Sequence, residues 1–270
     1  MLSIIIVNYN SETALAKCLA SLSSISPDKI EVFVIDNHSS LFDAQKLSRT
    51  YPYAKIIINP TNCGFAKANN QAYALSKGKY ILMLNPDVEI GSDSIQAMMG
   101  HLDNHKNVAA VGPHFLDKDG KDADSGYYNR FPQWQGVFSY YFKFPTKPLG
   151  LPDKETEIDQ IPGACLMVKR EVIDKIGFLD ERFFVWMEDV DFCFRMKKAG
   201  WKLVYLPQAA VKHVGGASFS TLKKGEKGLI WARSTIMYFF KNRNIAEAIL
   251  FTLLFSPKVF QFILYRISNK

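Results

Sequence analysis

Four apolar runs in the N-terminal third each stop abruptly at asparagine or aspartate, and no other feature narrows the possible folds as much. Residues 2–7 end at Asn8-Tyr9-Asn10 and residues 31–35 at Asp36-Asn37. Residues 55–58 end at Asn59-Pro60-Thr61-Asn62, and residues 80–84 at Asn85-Pro86-Asp87. The run at 80–84, apolar on both faces, suits a central parallel strand. Pro86 has no N–H and cannot continue a ladder, so the chain turns there and leaves Asp87 just past the strand. Helical patterns fill the gaps. Ala14, Leu15, Cys18, Leu19 and Leu22 share one face behind Ser11 as N-cap, while Gly64 opens a second helix that Gly78 closes as a C-cap. This alternation predicts a parallel sheet with right-handed crossovers. Ligands of such sheets collect at the carboxyl ends of the strands. A single polar tip reads equally well as a turn, since Asn, Pro and Asp all form turns; four on one sheet edge line a pocket.

The same tips exclude two nucleotide-binding classes. No GxGxxG follows the first strand and no GxxxxGK[ST] loop is present. Asp36 can hydrogen-bond a ribose hydroxyl or a base edge, or simply close an Asx turn. A net charge of +7 and a pI of 9.1 suggest an anionic partner: nucleotide phosphates, an anionic membrane or nucleic acid. With 270 residues, 48% of them hydrophobic, the chain can bury one large core or two fused halves. Cys18, Cys63, Cys165 and Cys193 are far apart and form no CxxC pair, which fits reduced thiols in a cytosolic protein. Residues 2–7 are too short and lack a preceding basic region for a secretory signal. No apolar segment reaches the roughly 18 residues of a spanning helix.

Further along, residues 92–102 read as a helix and 108–111 as a short strand. Residues 127–151, rich in aromatics, Pro and Gly, read as a lid or binding loop that is partly disordered without ligand. Residues 161–168 read as a strand, where Gly163 and Ala164 allow close approach of a ligand or of another backbone. A short helix spans 170–176. From Glu188 the spacing is helical up to Gly200, so Glu188 and Asp189 fall in a first turn where the helix dipole favours ionised carboxylates. Two acids directly after an aromatic-rich approach suggest a site rather than capping. Asp191 and Arg195 are spaced for an intrahelical pair. Residues 203–206 and 209–211 read as two short strands leading to His213 and a glycine-rich loop suited to phosphate. In the tail, basic residues flank an aromatic helix with Trp231, Tyr238 and Phe239. Such a helix suits an anionic membrane surface, packing on the main domain, or a homodimer interface.

Taken in order, Val7-Asn8-Tyr9-Asn10, Val34-Ile35-Asp36-Asn37, Asn62-Cys63-Gly64-Phe65-Ala66 with Asn69-Asn70, Asn85-Pro86-Asp87, Pro162-Gly163-Ala164, Glu188-Asp189-Val190-Asp191 and His213 with Gly216 resemble the inverting nucleotide-sugar glycosyltransferases of family 2. More narrowly, they resemble the bacterial rhamnosyltransferase-like branch that builds cell-surface polysaccharides. The resemblance implies an α/β fold of GT-A type: a Rossmann-like, mostly parallel sheet flanked by helices, with a C-terminal helical tail. It implies a nucleotide-sugar half at 1–115, an acceptor and catalytic half at 116–218, and a tail at 219–270. Asn8, Asn10 and Asp36 would serve the base and ribose, with Asn62, Gly64 and Asn69 bordering the nucleotide. Asn85-Pro86-Asp87 stands where the family carries Asp-x-Asp, with Asn in the first place. Asp87, helped by His213, would hold Mg²⁺ or Mn²⁺ on the diphosphate. Asp189 would be the catalytic base with Glu188 as its alternative, and Trp186 and Gly163 would face the acceptor.

The implied reaction moves L-rhamnose from dTDP-rhamnose to a lipid-linked or polysaccharide acceptor, at the cytoplasmic face of the cell membrane and without nucleic acid. A UDP-hexose donor is the alternative. A sugar nucleotidyltransferase lacks its glycine-rich loop here, and retained Asp87, Asp189 and His213 argue against a non-catalytic membrane module.

Overall fold

The computed structural model describes residues 1–124, 127–132, 153–215, 224–243, 245–249 and 252–253. Its centre is a sheet of nine strands ordered β3-β2-β1-β4-β8-β6-β9-β5, with β7 paired to β9. The strands are β1 (Leu2–Asn8), β2 (Ile30–Asp36), β3 (Ala54–Ile58), β4 (Tyr80–Leu84), β5 (Val88–Ile90), β6 (Val108–Leu116), β7 (Thr156–Glu157), β8 (Cys165–Lys169) and β9 (Lys202–His213). The helices are α1 (Glu12–Leu22), α2 (Ala44–Thr50), α3 (Phe65–Leu75), α4 (Ser92–Asn104), α5 (Arg170–Ile176), α6 (Glu188–Lys198) and α7 (Lys224–Asn242).

Three of the four N-terminal runs are buried on both faces, while β3 is an edge strand whose Ile58 is exposed. Every residue of β1, β2 and β4 is buried, and β3-β2-β1-β4 pair in parallel. Each fully buried Ile or Leu here contributes about 1.5–3 kcal/mol. Beyond β4 the sheet becomes mixed: β8 runs antiparallel to β4 and β6, β6 is parallel to β9, and β5 is antiparallel to β9. The predicted helical face of α1 is largely buried through Leu15, Cys18, Leu19 and Leu22.

Several boundaries differ from the sequence reading. Gly78 does not cap α3, which ends at Ser76. Instead its N–H donates to Ser3 Oγ at 2.8 Å, and a Cβ there would lie 2.5 Å from the Ser3 backbone nitrogen. Close approach to β1, not a left-handed turn, requires this glycine. The strand read from residue 161 begins only at Cys165, because Pro162 and Gly163 lie in a turn whose ends meet where Cys165 N–H donates to Pro162 O at 3.2 Å. Residues 203–206 and 209–211 belong to one strand, β9. Its register against β6 shifts between Leu206 and Ala210, so Pro207 falls where no ladder bond is needed. At Ser11 the hydroxyl bonds Tyr9 O at 3.0 Å and makes no side-chain cap.

The tail helix α7 packs on the domain. Its Tyr238 and Phe239 are fully buried in a second apolar cluster with Phe183 of the main domain. Among the described residues no helix is long and apolar enough to cross a membrane. Most of the expected lid loop, Gly216 and residues 254–270 of the tail lie outside the described residues.

Candidate functional site

The carboxyl ends of β1, β2 and β4 open into a cavity of about 620 Å³. Tyr9, Asn37, Asn62, Gly64, Phe65, Asn85 and Pro86 form its floor from the first half of the chain. Pro162, Gly163, Ala164, Phe184, Trp186, Glu188 and Asp189 form the opposite wall, with Tyr127 and Ile230 at the rim. Seven predicted site residues therefore share one cavity: Asn62, Gly64, Asn85, Gly163, Trp186, Glu188 and Asp189.

The floor is built by short-range polar bonds. Asn62 Oδ1 accepts the Gly64 N–H at 3.0 Å, and Asn37 Nδ2 donates to Gly64 O at 3.2 Å. Gly64 has φ 88° and ψ 168°, a region open essentially to glycine alone. A Cβ there would sit 2.5 Å from Phe184 O, the same oxygen that accepts the Phe65 N–H at 2.7 Å. The turn before α3 is thereby held against the wall that carries the acids.

That wall is strained. Trp186 and Met187 take φ of 65° and 71°, both left-handed, immediately before α6. Non-glycine residues held there cost on the order of 1–3 kcal/mol each and persist only where their surroundings impose them. The double turn presents Asp189 with both oxygens engaged by backbone. Oδ2 accepts Gly163 N–H at 2.7 Å and Oδ1 accepts Val190 N–H at 2.8 Å. Burial raises the Asp189 carboxyl above its usual range, and those two N–H bonds draw it part of the way back. Glu188 is 5% exposed, and its Oε2 has no hydrogen-bond partner among the described residues. Burial first, then the charge of Asp189, pushes it well above the carboxylate range. The helix dipole expected to keep both acids ionised is thus outweighed at Glu188 by desolvation. Neighbouring acids pushed to different degrees suit a charged base beside a neutral donor.

Asp87 and His213 meet beside this cavity, with His213 Nε2 3.0 Å from Asp87 Oδ1. Both are buried, and His213 Nδ1 has no hydrogen-bond partner among the described residues. The pairing of Val88 with His213 in β5 and β9 brings them together from positions 126 residues apart. One carboxylate and one imidazole form a donor set that fits Mn²⁺ or Mg²⁺ whose remaining ligands are diphosphate oxygens and water. Asn10, at φ 52°, lines a neighbouring hollow of about 310 Å³ together with Asp87.

Asn8, Asp36 and Asn69 do not line the cavity. Asn8 Nδ2 donates to Asp36 Oδ1 at 2.8 Å, and Ser39 N–H and Oγ also bond the Asp36 carboxylate. This ties β1 to the β2 tip and turns the chain locally through a bond three residues on, in place of the Asx turn that was the alternative reading. Asn69 is fully buried and donates to Phe65 O within α3. Sequence reasoning passed over Asn37 and Tyr9, although each stands beside a residue it did choose. Tyr127 and Ile230 carry no local signal, since distant segments bring them in. A separate His114–Asp122–Asp124 group has its ligand atoms within 4.8 Å of one another. Asp124 there already accepts Phe115 N–H and Tyr205 Oη and contacts His114 Nδ1, a network that ties β6 to β9.

Residues 3–177 match the family described as Glycosyl transferase family 2. The N-acetylglucosaminyl-diphospho-decaprenol L-rhamnosyltransferase of Mycobacterium tuberculosis is 30% identical over 234 residues, 79% of this chain and 76% of that protein. The dTDP-rhamnosyl transferase RfbF of Shigella flexneri is 26% identical over 223 residues, 78% of this chain and 68% of that protein. Among solved structures, GalNAc-T7 with UDP, GalNAc and Mn²⁺ superimposes with a TM-score of 0.65 over 88% of this chain and 47% of that one, at 15% identity. The architecture is that of the GT-A glycosyltransferases, and the chain belongs to glycosyl transferase family 2, in its bacterial rhamnosyltransferase-like branch.

Proposed function

We propose that this glycosyltransferase is inverting and metal-dependent, and moves L-rhamnose from dTDP-rhamnose to a lipid-linked acceptor in cell-surface glycan synthesis. The observation that carries this reading is Asp189: a carboxylate fixed by two backbone N–H groups on the wall of the main cavity, facing the tips of the parallel strands. The donor would lie over Tyr9, Asn37, Asn62 and Asn85 in the first half, and the acceptor against Gly163, Trp186 and Glu188 in the second. Asp189 takes the proton of the acceptor hydroxyl as that oxygen forms a bond to the anomeric carbon. The bond from that carbon to the diphosphate breaks on the opposite side, its electron pair leaves with the nucleotide, and the configuration inverts. Glu188, kept neutral by burial, donates a hydrogen bond to a sugar hydroxyl. Asp87 and His213 would hold the divalent ion, which when bound stabilises the charge of the departing diphosphate. The rhamnosyl donor and the lipid-linked acceptor rest on the two relatives' activities. Exposed Ile245, Ile249 and Leu253 would suit contact with the membrane that holds such an acceptor.

The test is transfer to a synthetic N-acetylglucosaminyl-diphospho-lipid from dTDP-rhamnose or from UDP-hexoses, in wild type and in Asp189→Asn. Transfer from dTDP-rhamnose with inverted product, lost by about 10³-fold in Asp189→Asn while dTDP still binds, is the expected result. Transfer only from a UDP-hexose would replace the donor. Near-normal turnover of the variant would remove Asp189 as base.

A further inference from the structure

The segment that presents Asp189 is held in place from outside the region matched to the family, which ends at residue 177. Residues 183–191 carry two consecutive left-handed non-glycine residues, and helix α7 grips them at both ends. On the near side, buried Ser234 of α7 donates through Oγ to Val185 O at 2.9 Å, one residue before the double turn. On the far side, Asp191 of α6 is 0% exposed, yet three side chains surround its carboxylate. Arg195 Nε reaches it at 2.9 Å from its own helix, while Lys241 Nζ at 2.8 Å and Asn242 Nδ2 at 2.8 Å come from α7. Just before them Phe183 packs into the cluster with Tyr238 and Phe239, between them Met187 and Val190 pack against it, and Ile230 of α7 lines the cavity itself.

An ordinary surface ion pair stabilises little. A carboxylate this deeply buried is another matter, because losing Lys241 leaves Arg195 as the one cation hydrogen-bonded to it among the described residues. The arrangement does more than bury apolar surface, since a helix packed only for stability needs no buried carboxylate two residues from the base. We infer that α7 is a positioning element for the reaction: Ser234, Lys241 and Asn242 impose the Trp186–Met187 double turn and thereby set the place of Asp189. This rests on the reading of Asp189 as base.

The experiment uses the full chain and three variants: Ser234→Ala, Lys241→Met and, as a control, Thr235→Val. Thr235 is buried in the same helix, but its hydroxyl bonds only Trp231 O within α7 among the bonds described. Turnover is divided by the number of nucleotide-binding sites, and amide hydrogen exchange is followed by mass spectrometry. Ser234→Ala and Lys241→Met are expected to lower kcat per binding site by about tenfold or more, as displacement of a catalytic group does. Donor KM should stay within about twofold, and peptides covering 183–191 should exchange at least about tenfold faster while the β1–β4 peptides do not change. Thr235→Val should keep wild-type turnover and exchange in that segment. Unchanged kcat per site with unchanged exchange in 183–191 would overturn the inference. So would a fall in activity matched by an equal fall in nucleotide-binding sites, because α7 would then only stabilise the fold. If Lys241→Met does not fold, Ser234→Ala decides alone, since it leaves every Asp191 partner in place. Asp189→Asn run alongside separates the failures: full turnover there overthrows the base assignment, whereas the exchange data still judge the clamp.

Discussion

The two adjacent acids at 188 and 189 have different physics, and the difference is measurable. Glu188 is buried with one oxygen unpartnered, and its folded-state pKa lies well above the ordinary value of 4.5. Between the unfolded and folded values the native state holds the extra proton, so this residue's contribution to stability falls as pH rises through that window. Glu188→Gln keeps the shape and an N–H donor but has no proton to lose. Its melting temperature should match wild type near pH 4.5 and exceed it increasingly as the pH rises above that value. The gain should be on the order of 2–4 °C, the shift produced by about 1 kcal/mol in a domain of this size. Thermal unfolding of both proteins across that pH range checks the sign; a gain largest at low pH would contradict the buried, neutral acid. That these two acids open a helix was legible in the sequence, because the helical spacing starts at Glu188 directly after the aromatics. The stronger upward push on the Glu188 carboxyl was not legible, since it depends on burial by segments far away in the chain.

At the scale of elements, the first four strands could be read directly because each is a short apolar-rich run that ends at Asn or Asp, and their helices because the apolar period is clear. The two shortest strands were invisible. β5 and β7 have three and two residues, and pairing with β9 rather than any local pattern defines them. Likewise Asn8, Asp36 and Asn69 are polar residues at or near the sheet edge, but the structure spends their side chains on one another and on α3. Their neighbours Asn37 and Tyr9 reach the cavity from one residue past the ends of β2 and β1, where the chain leaves the sheet. Glycines separate in the same way. Gly64 joins α3 to the Phe184 backbone with a conformation denied to other residues, so Gly64→Ala should cost on the order of 3 kcal/mol or more, about 6–12 °C in Tm. Gly100, inside α4, has open space where a methyl group would stand, with nothing within 4 Å. Gly100→Ala should instead stabilise by up to about 1 kcal/mol. Denaturant unfolding of the two variants, with opposite signs expected, tests whether the α3 turn is as tightly constrained as the contacts indicate.

At the scale of the whole molecule, the chain closes on itself where its two halves meet, at Asp87 after β4 and His213 at the end of β9. Neither residue alone is a strong ligand for a hard cation, and the Asn85-Pro86-Asp87 turn supplies one carboxylate where the family pattern has two. Metal and nucleotide should therefore bind together, each supplying what the other lacks. Chelation with EDTA should abolish transfer, and excess Mn²⁺ should restore it. In thermal unfolding, Mn²⁺ alone should shift Tm little and nucleotide alone modestly. The two together should shift it by more than the sum, since a ligand at 100 times its Kd adds about 2.7 kcal/mol to stability. Asp87→Ala should remove the Mn²⁺-dependent part and leave the nucleotide part, because the base and ribose contacts proposed above would not involve Asp87. His213→Ala should reduce the Mn²⁺-dependent part without abolishing it. Equal shifts with and without Mn²⁺ in wild type would mean that the diphosphate is held by protein groups alone, and the pairing of Asp87 with His213 would then be a purely structural join between the halves.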